Sequence, residues 1–263
     1  MQELYQHHPS PLHRMDARVK ILLALAFILS LSLTPPGAWP AYVLYLSVAL
    51  SAALLSRLGI GFVLKRALLA VPFVLAALPL IFTGPPPIHS SLLFQSLRIS
   101  FSPAGAERFA SIAVKSWISV QVAILLAATT RFPDLLSALK QLRVPRQFVA
   151  IVGLMWRYLF VIGDEASRMI HARSSRSAAA AGNRRSGGSL WWRARVTGGM
   201  AGGLFLRSLE RSERVYAAML SRGYNGEPPA LDPTPLSSGD RAALILGGVA
   251  VVTLLLLGLL TGR

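Results

Sequence analysis

The chain contains no cysteine, which removes disulfides, thiolate metal sites and thiol catalysis from consideration. It is also short of acid. Only 11 Asp and Glu stand against 27 Lys and Arg, a formal net charge of +16. No Walker-type glycine loop followed by lysine occurs, so the chain has no phosphate cradle of that kind for ATP. Nor do a nucleophile and a base stand in a recognisable arrangement. His171 lies one helical turn from Ser167, but a solitary helical histidine does not make a catalytic pair. What is abundant is apolar: 53% of the residues are hydrophobic and 14% charged. Long uncharged runs at that composition read as transmembrane helices. The surplus of arginine would point to nucleic acid in a soluble protein. Here it falls between the apolar runs and reads as positive-inside bias.

The pattern predicts an all-α integral membrane protein with about five transmembrane helices, at residues 21–33, 38–56, 67–83, 109–130 and 242–260. The first run is short and takes in part of its flank, where Asp16 sits in the favourable first turn. Residues 1–18 read as a polar lead-in and not a cleaved signal. His7, His8 and His13 lack the spacing and the neighbouring carboxylates of a metal site. Pro35-Pro36-Gly37 forms an uncharged outer turn, and Trp39, Tyr42 and Tyr45 are placed as interface anchors. Pro72 and Pro79 are expected to kink the third span. Gly84-Pro85-Pro86-Pro87 opens an outer segment. Lys115, near the outer end of the fourth span, is expected to snorkel to the interface, a functional intramembrane lysine being the alternative. No span holds Asp, Glu or His, which disfavours a self-contained ion-coupled carrier or channel. Basic flanks at Arg14, Arg18, Lys20, Arg57, Lys65 and Arg66, and across 131–241, put the N-terminus in the cytoplasm. An odd number of spans puts the C-terminus outside.

The chain thus divides into a membrane scaffold, residues 1–130 and 241–263, and a cytoplasmic module, 131–240. In the module, Phe132-Pro133-Asp134 opens a short amphipathic helix with Leu135, Leu136, Leu139 and Leu142 on one side, broken at Val144-Pro145-Arg146. Residues 147–176 read as one long helix. Its apolar first half (148–162, interrupted by Arg157) is expected to be buried against other helices or at the membrane interface. Its polar second half sets Asp164 and Glu165 to pair with Arg168. A small-residue linker, 178–189, leads to a second long helix from about 190 to 222. There Gly198, Gly199, Gly202 and Gly203 form two small-xxx-small pairs suited to a close helix crossing, with a plain hinge as the alternative. Beyond them Phe205, Leu209, Tyr216, Met219 and Leu220 gather on one face, and Arg207, Arg211, Arg214 and Arg222 on the other. Glu210 is placed to pair with Arg214. Each long segment carries a tripeptide with arginine between small residues: Ala172-Arg173-Ser174 and Ser221-Arg222-Gly223.

Three stretches resemble one family: Met15-Asp16-Ala17-Arg18-Val19-Lys20, the Ala172-Arg173-Ser174 tip, and the specific run from Leu206 through Ser221-Arg222-Gly223 to Tyr224. Over nearly its whole length the chain resembles the transmembrane T component of energy-coupling factor (ECF) transporters, most of all the cobalt-transport branch. Ser221 departs from the alanine usual at that tip. The resemblance implies a non-catalytic subunit whose tips dock into grooves on two cytoplasmic ABC ATPase subunits, with Arg207, Glu210, Arg211 and Arg214 supporting the second tip. It also implies a membrane S component that binds the solute. No cofactor or metal is expected on this chain, ATP and Mg residing on the ATPases. The expected cargo is cobalt or nickel, with a vitamin such as biotin as the alternative. An arginine suits the docking role because its fork binds a carboxylate bidentately. The competing expectation is that both tips merely contact lipid headgroups.

Overall fold

A computed structural model describes residues 10–68, 71–79, 103–176, 189–224 and 235–262. Every regular element among them is helical: α1 (Pro11–Arg14), α2 (Ala17–Leu33), α3 (Trp39–Leu55), α4 (Ile60–Ala67), α5 (Val71–Ala76), α6 (Pro103–Thr129), α7 (Phe132–Gln141), α8 (Arg146–Arg176), α9 (Leu190–Ser221) and α10 (Ser238–Thr261). The chain forms two compact units. One is Gln2–Ala138 with Pro233–Arg263, the other Leu139–Asp232. His7, His8 and nearly all of the 178–189 linker lie outside the described residues.

Within the first unit, α2 is the central element. Asp16 caps it, its carboxylate accepting from the Arg18 N–H at 2.9 Å. α10 runs parallel to it. The Asp16 N–H donates to Asp240 Oδ1 at 3.1 Å. About two turns further on, Leu23 lies against Gly247, and near the far end Thr34 lies against Gly258. A Cβ on Gly247 would sit 2.6 Å from Leu23 Cδ2, and one on Gly258 2.8 Å from Thr34 Cγ2. The small residues therefore let these two helices approach closely. α6 runs antiparallel to α2. Near the start of α2, Lys20 Nζ donates to the Thr129 carbonyl at 3.1 Å, the last residue of α6. Past the end of α2, Lys115 Nζ of α6 donates to the carbonyls of Thr34 and Ser32. Each lysine satisfies the orphan C-terminal carbonyls of the other helix, where the helix dipole also favours a cation.

These contacts correct three expectations. Lys115, expected to reach the interface or to act within the bilayer, has a specific partner: it caps α2 and lies over the Tyr42 ring. Tyr42 and Tyr45 are 2% and 0% exposed, so they are core residues and not interface anchors. Their hydroxyls find partners inside, as buried tyrosines require: Tyr42 donates to the Pro35 carbonyl at 2.7 Å, and Tyr45 pairs with Ser30. They join Phe27, Leu31, Ile118 and Leu254 in the main core, while Ala53, Leu58, Val63, Leu125 and Ala128 form a second cluster. Third, no single helix covers 67–83 in the described residues. α4 ends at Ala67 and α5 covers only Val71–Ala76. Pro72 sits in the first turn of α5, where its missing N–H costs nothing. Trp39, by contrast, is exposed.

Among the described residues three helices are long and apolar enough to cross a membrane: α6 (from Gly105), α8 and α10; α3 is a shorter apolar helix. α2 and α3 have 17 residues each, about 25 Å of helix. The outer faces of α2, α3 and α10 expose Leu25, Leu29, Val43, Ile245, Leu246 and Val249, as lipid-facing surfaces do. An apolar cavity of about 240 Å³, bounded by residues such as Leu23, Val48, Val122 and Val251, lies among α2, α3, α6 and α10.

In the second unit, α8 and α9 are antiparallel neighbours. Neither has a buried residue within this unit. Phe148, Ile151 and Met155 are exposed.

Candidate functional site

The two tripeptides sit in different local structures. Ser221 is the last residue of α9 and Arg222 its C-cap. The Gly223 N–H bonds the Leu220 carbonyl and the Tyr224 N–H bonds the Met219 carbonyl, both at 3.0 Å. That bond pair is the Schellman motif, which needs a left-handed residue at its centre, and Gly223 has φ +80°. Glycine thus follows this arginine because only it adopts that turn without strain. Ser221, Arg222 and Gly223 are all exposed, so the cap presents the guanidinium at the point where the helix stops.

Ala172-Arg173-Ser174 instead lies inside α8, which continues through Arg176. This tip does not end its helix in the described residues. Arg173 is partly covered. Its Nη1 donates to Thr197 Oγ1 of α9 at 3.2 Å, and its guanidinium lies 6.0 Å from the centre of the Trp192 ring. The arrangement is a cation–π contact that fixes the arginine on a neighbouring helix. Ala172 and Ser174 are exposed.

The register of the helix pair follows from three contacts. Glu165 meets Arg207 at 2.6 Å, Met169 Cε comes within 3.9 Å of where a Gly203 Cβ would be, and Arg173 meets Thr197. As α8 advances, α9 recedes. The Arg173 tip therefore lies beside the early part of α9, and the Arg222 tip at its far end. The 25 steps from Thr197 to Arg222 rise about 1.5 Å each, so the tips stand about 38 Å apart.

Glu165 holds the pair together. It accepts from Arg207 and, at 3.1 Å, from Arg168 of its own helix. The hydrogen bond from Arg207, reinforced by the charges of both arginines, holds its carboxyl below the ordinary value. The Arg168 pairing was legible from spacing; the cross-helix bond to Arg207 was not, because periodicity does not say which helix faces which. Glu210 and Arg214 are paired at 4.0 Å with both side chains exposed, a weak contact. Arg211 is partly covered. Phe205, Leu209, Tyr216 and Leu220 form the expected apolar stripe, but it is exposed; α8 is met by Thr197, Gly203 and Arg207 instead. Among the described residues no neighbouring helix of this chain packs closely on the glycines. Nothing lies within 4 Å of a Cβ placed on Gly198, Gly199 or Gly202, and Gly203 meets only Met169. α9 is also unbroken there, so the glycines are not a hinge in this conformation. The close crossing occurs in the other unit, at Gly247 and Gly258, whose spacing in an aliphatic run was the available signal.

Comparison with known proteins bears on what such a pair serves. The sequence profile of the family described as Cobalt transport protein matches residues 8–231. The Rhodobacter capsulatus cobalt transport protein CbiQ is 28% identical over 229 residues, 86% of each chain. The Lactococcus lactis ECF transporter transmembrane protein EcfT is 24% identical over 260 residues, covering 94% of this chain and 93% of that protein. An uncharacterized Methanocaldococcus jannaschii protein, MJ1571, is 27% identical over 257 residues, 97% of this chain and 85% of the other. The matched segment takes in α2, the Arg173 tip, the Arg222 tip and the paired helices between them, and on that coverage the chain belongs to the cobalt transport protein family, as a CbiQ-like transmembrane T component of ECF transporters.

Proposed function

We propose that this chain couples ATP hydrolysis by two cytoplasmic ATPase subunits to solute uptake through a separate membrane S component. The observation that carries the reading is the separation of the tips. Two exposed or reachable arginines about 38 Å apart exceed the ~30 Å diameter of a small domain, so they address two docking sites and not one. Each guanidinium is assigned a carboxylate in an ATPase groove. The exposed Schellman end supplies one contact; the Arg173 tip, braced by Thr197 and Trp192, supplies the other. Mg and ATP are held by the partners, and this chain contributes no catalytic group or cofactor of its own.

The module is assigned to the cytoplasm and the C-terminus of α10 to the outside. Of the described helices of the module, α8 is long and apolar enough to cross the bilayer. Crossing would carry the paired α9, with Arg193, Arg195, Arg207, Arg211 and Arg214, to the outer side, against the positive-inside bias. Its first half is therefore placed at the membrane interface.

The cargo is assigned as cobalt(II) or nickel(II), from the family description and the Rhodobacter relative's name. A vitamin cargo such as biotin stays as the second reading, because the Lactococcus relative is named only as a general ECF component. Affinity purification of the tagged chain from its native membranes tests the assignment. Two ATPase subunits and an S component should co-purify, and the reconstituted complex should take up cobalt(II) only with Mg-ATP. A chain that purifies alone, or that carries solute without ATP, overturns it. Mass spectrometry of the S component then separates metal from vitamin cargo.

A further inference from the structure

We propose that the segment from Asp16 to Lys20 anchors both chain connections of the α8/α9 module and so passes its motion to the scaffold; this rests on the coupling reading above. The module is joined to the rest of the chain at two roots. One runs from the end of α6 through Thr130 and Arg131 into α7 and α8. The other runs from α9 back into α10. Both roots end on the same five residues. Lys20, 8% exposed, donates through Nζ to Thr129 O, the last residue of α6, at 3.1 Å, and to His13 O at 3.4 Å. The Asp16 N–H donates to Oδ1 of Asp240, in the first turn of α10, at 3.1 Å. Asp16 is itself fixed, accepting from the Arg18 N–H at 2.9 Å and lying 3.4 Å from the Arg18 guanidinium.

A force applied at either arginine tip leaves the module along one of these roots and meets this anchor. Hydrogen bonds with an ionised partner are the strong ones, and Lys20 makes its bonds in a buried setting where competing water is excluded. Asp16, Arg18 and Lys20 are thus positioning residues: they act through Thr129 and Asp240. The molecule supplies its own control. Lys115 caps α2 as Lys20 caps α6, on the same helix pair but at the opposite end, where no root attaches.

The test uses the full complex, with its ATPases and S component, reconstituted in vesicles, and reads cobalt(II) taken up per ATP hydrolysed. Lys20→Met and Asp240→Ala should leave assembly and ATP hydrolysis in place and lower that ratio about tenfold, the scale of one lost buried hydrogen bond. Lys20→Arg should restore most of it. Lys115→Met should keep the wild-type ratio. An unchanged ratio in Lys20→Met and Asp240→Ala overturns the proposal, and so does an equal fall in Lys115→Met, which would reduce both lysines to helix caps. If Lys20→Met fails to assemble, Asp240→Ala reads the other root on its own. A wild-type complex without ATP-driven uptake would instead overturn the coupling reading, and this inference with it.

Discussion

Arg222 ends its helix with an exposed side chain, whereas Arg173 is already engaged by Thr197 and Trp192. The two should therefore respond differently to truncation. Arg222→Ala should weaken ATPase binding by ~2–5 kcal/mol, the cost of stranding one partner of a docked charge pair, and leave the free chain's melting unchanged. Arg173→Ala should do the same and also loosen α8 from α9. Replacing Arg184 and Arg185 together by Ala removes more charge than either and should spare ATPase binding; an equal loss there would assign both tips to lipid. Gln121 poses the opposite case. It is fully buried on α6, and among the described residues neither amide atom has a partner. Gln121→Leu should raise thermal stability in detergent by about 1–3 kcal/mol, the penalty of an unsatisfied buried group. A drop would mean that the amide is bonded in the membrane.

For the elements, the paired helices make the clearest prediction. The Glu165 carboxyl is held below its ordinary value by Arg207, so the tie it makes is present above the unfolded carboxylate range and is lost only as pH falls through the lowered value. Spin labels on α8 and α9 should report a constant separation from neutral pH through the ordinary carboxylate range and a widening below it. Glu165→Gln should remove that acid dependence. The open glycine face of α9 makes another. With nothing within 4 Å of Gly198, Gly199 or Gly202, Gly199→Leu should leave the isolated chain as stable as before. A loss confined to complex assembly would identify that face as the seat of a partner helix.

Which elements were legible follows from the same physics. Phe132-Pro133 and Val144-Pro145 mark α7 and the start of α8 within a residue or two, because proline punctuates the chain whatever surrounds it. The ends of α9 were equally readable, from the Gly187-Gly188-Ser189 linker before it and from Tyr224-Asn225-Gly226 and Pro228-Pro229 after it. The third span was not, since an apolar run of 67–83 looks the same whether one helix fills it or a helix stops inside it, as α5 does at Ala76. Tyr42 and Tyr45 misled because a tyrosine at a helix end suits either an interface or a core with a hydroxyl partner. Both arginine tips were found, but their separation depends on the register of α8 against α9, which no local pattern carries.

At the scale of the molecule, α2 and α10 run parallel and α6 runs against them. That arrangement agrees with a start of α2, an end of α6 and a start of α10 on one side of the bilayer. Because the chain has no cysteine, single cysteines report on a clean background. Ser189→Cys should react with an impermeant maleimide only from the cytoplasmic side, and Thr261→Cys only from the outside. Reversal of that pattern would overturn the orientation.

The reciprocal lysine caps also bear on how the protein is made. The Lys20 bond joins residues 109 apart in sequence, and the Lys115 bond residues 81 apart. α2 is synthesised and delivered to the bilayer long before α6 exists. Until then its final carbonyls lack their cation, and Lys20 lacks its acceptor on α6. Arrival of α6 closes both ends together, because a slip of one turn, about 5.4 Å, would break both bonds at once. Nascent chains arrested before α6 reaches the bilayer should accordingly be short-lived in the membrane, and those arrested after α6 has left the ribosome and inserted should persist, so that insertion of the fourth apolar run becomes the step at which the translation product is committed to survival.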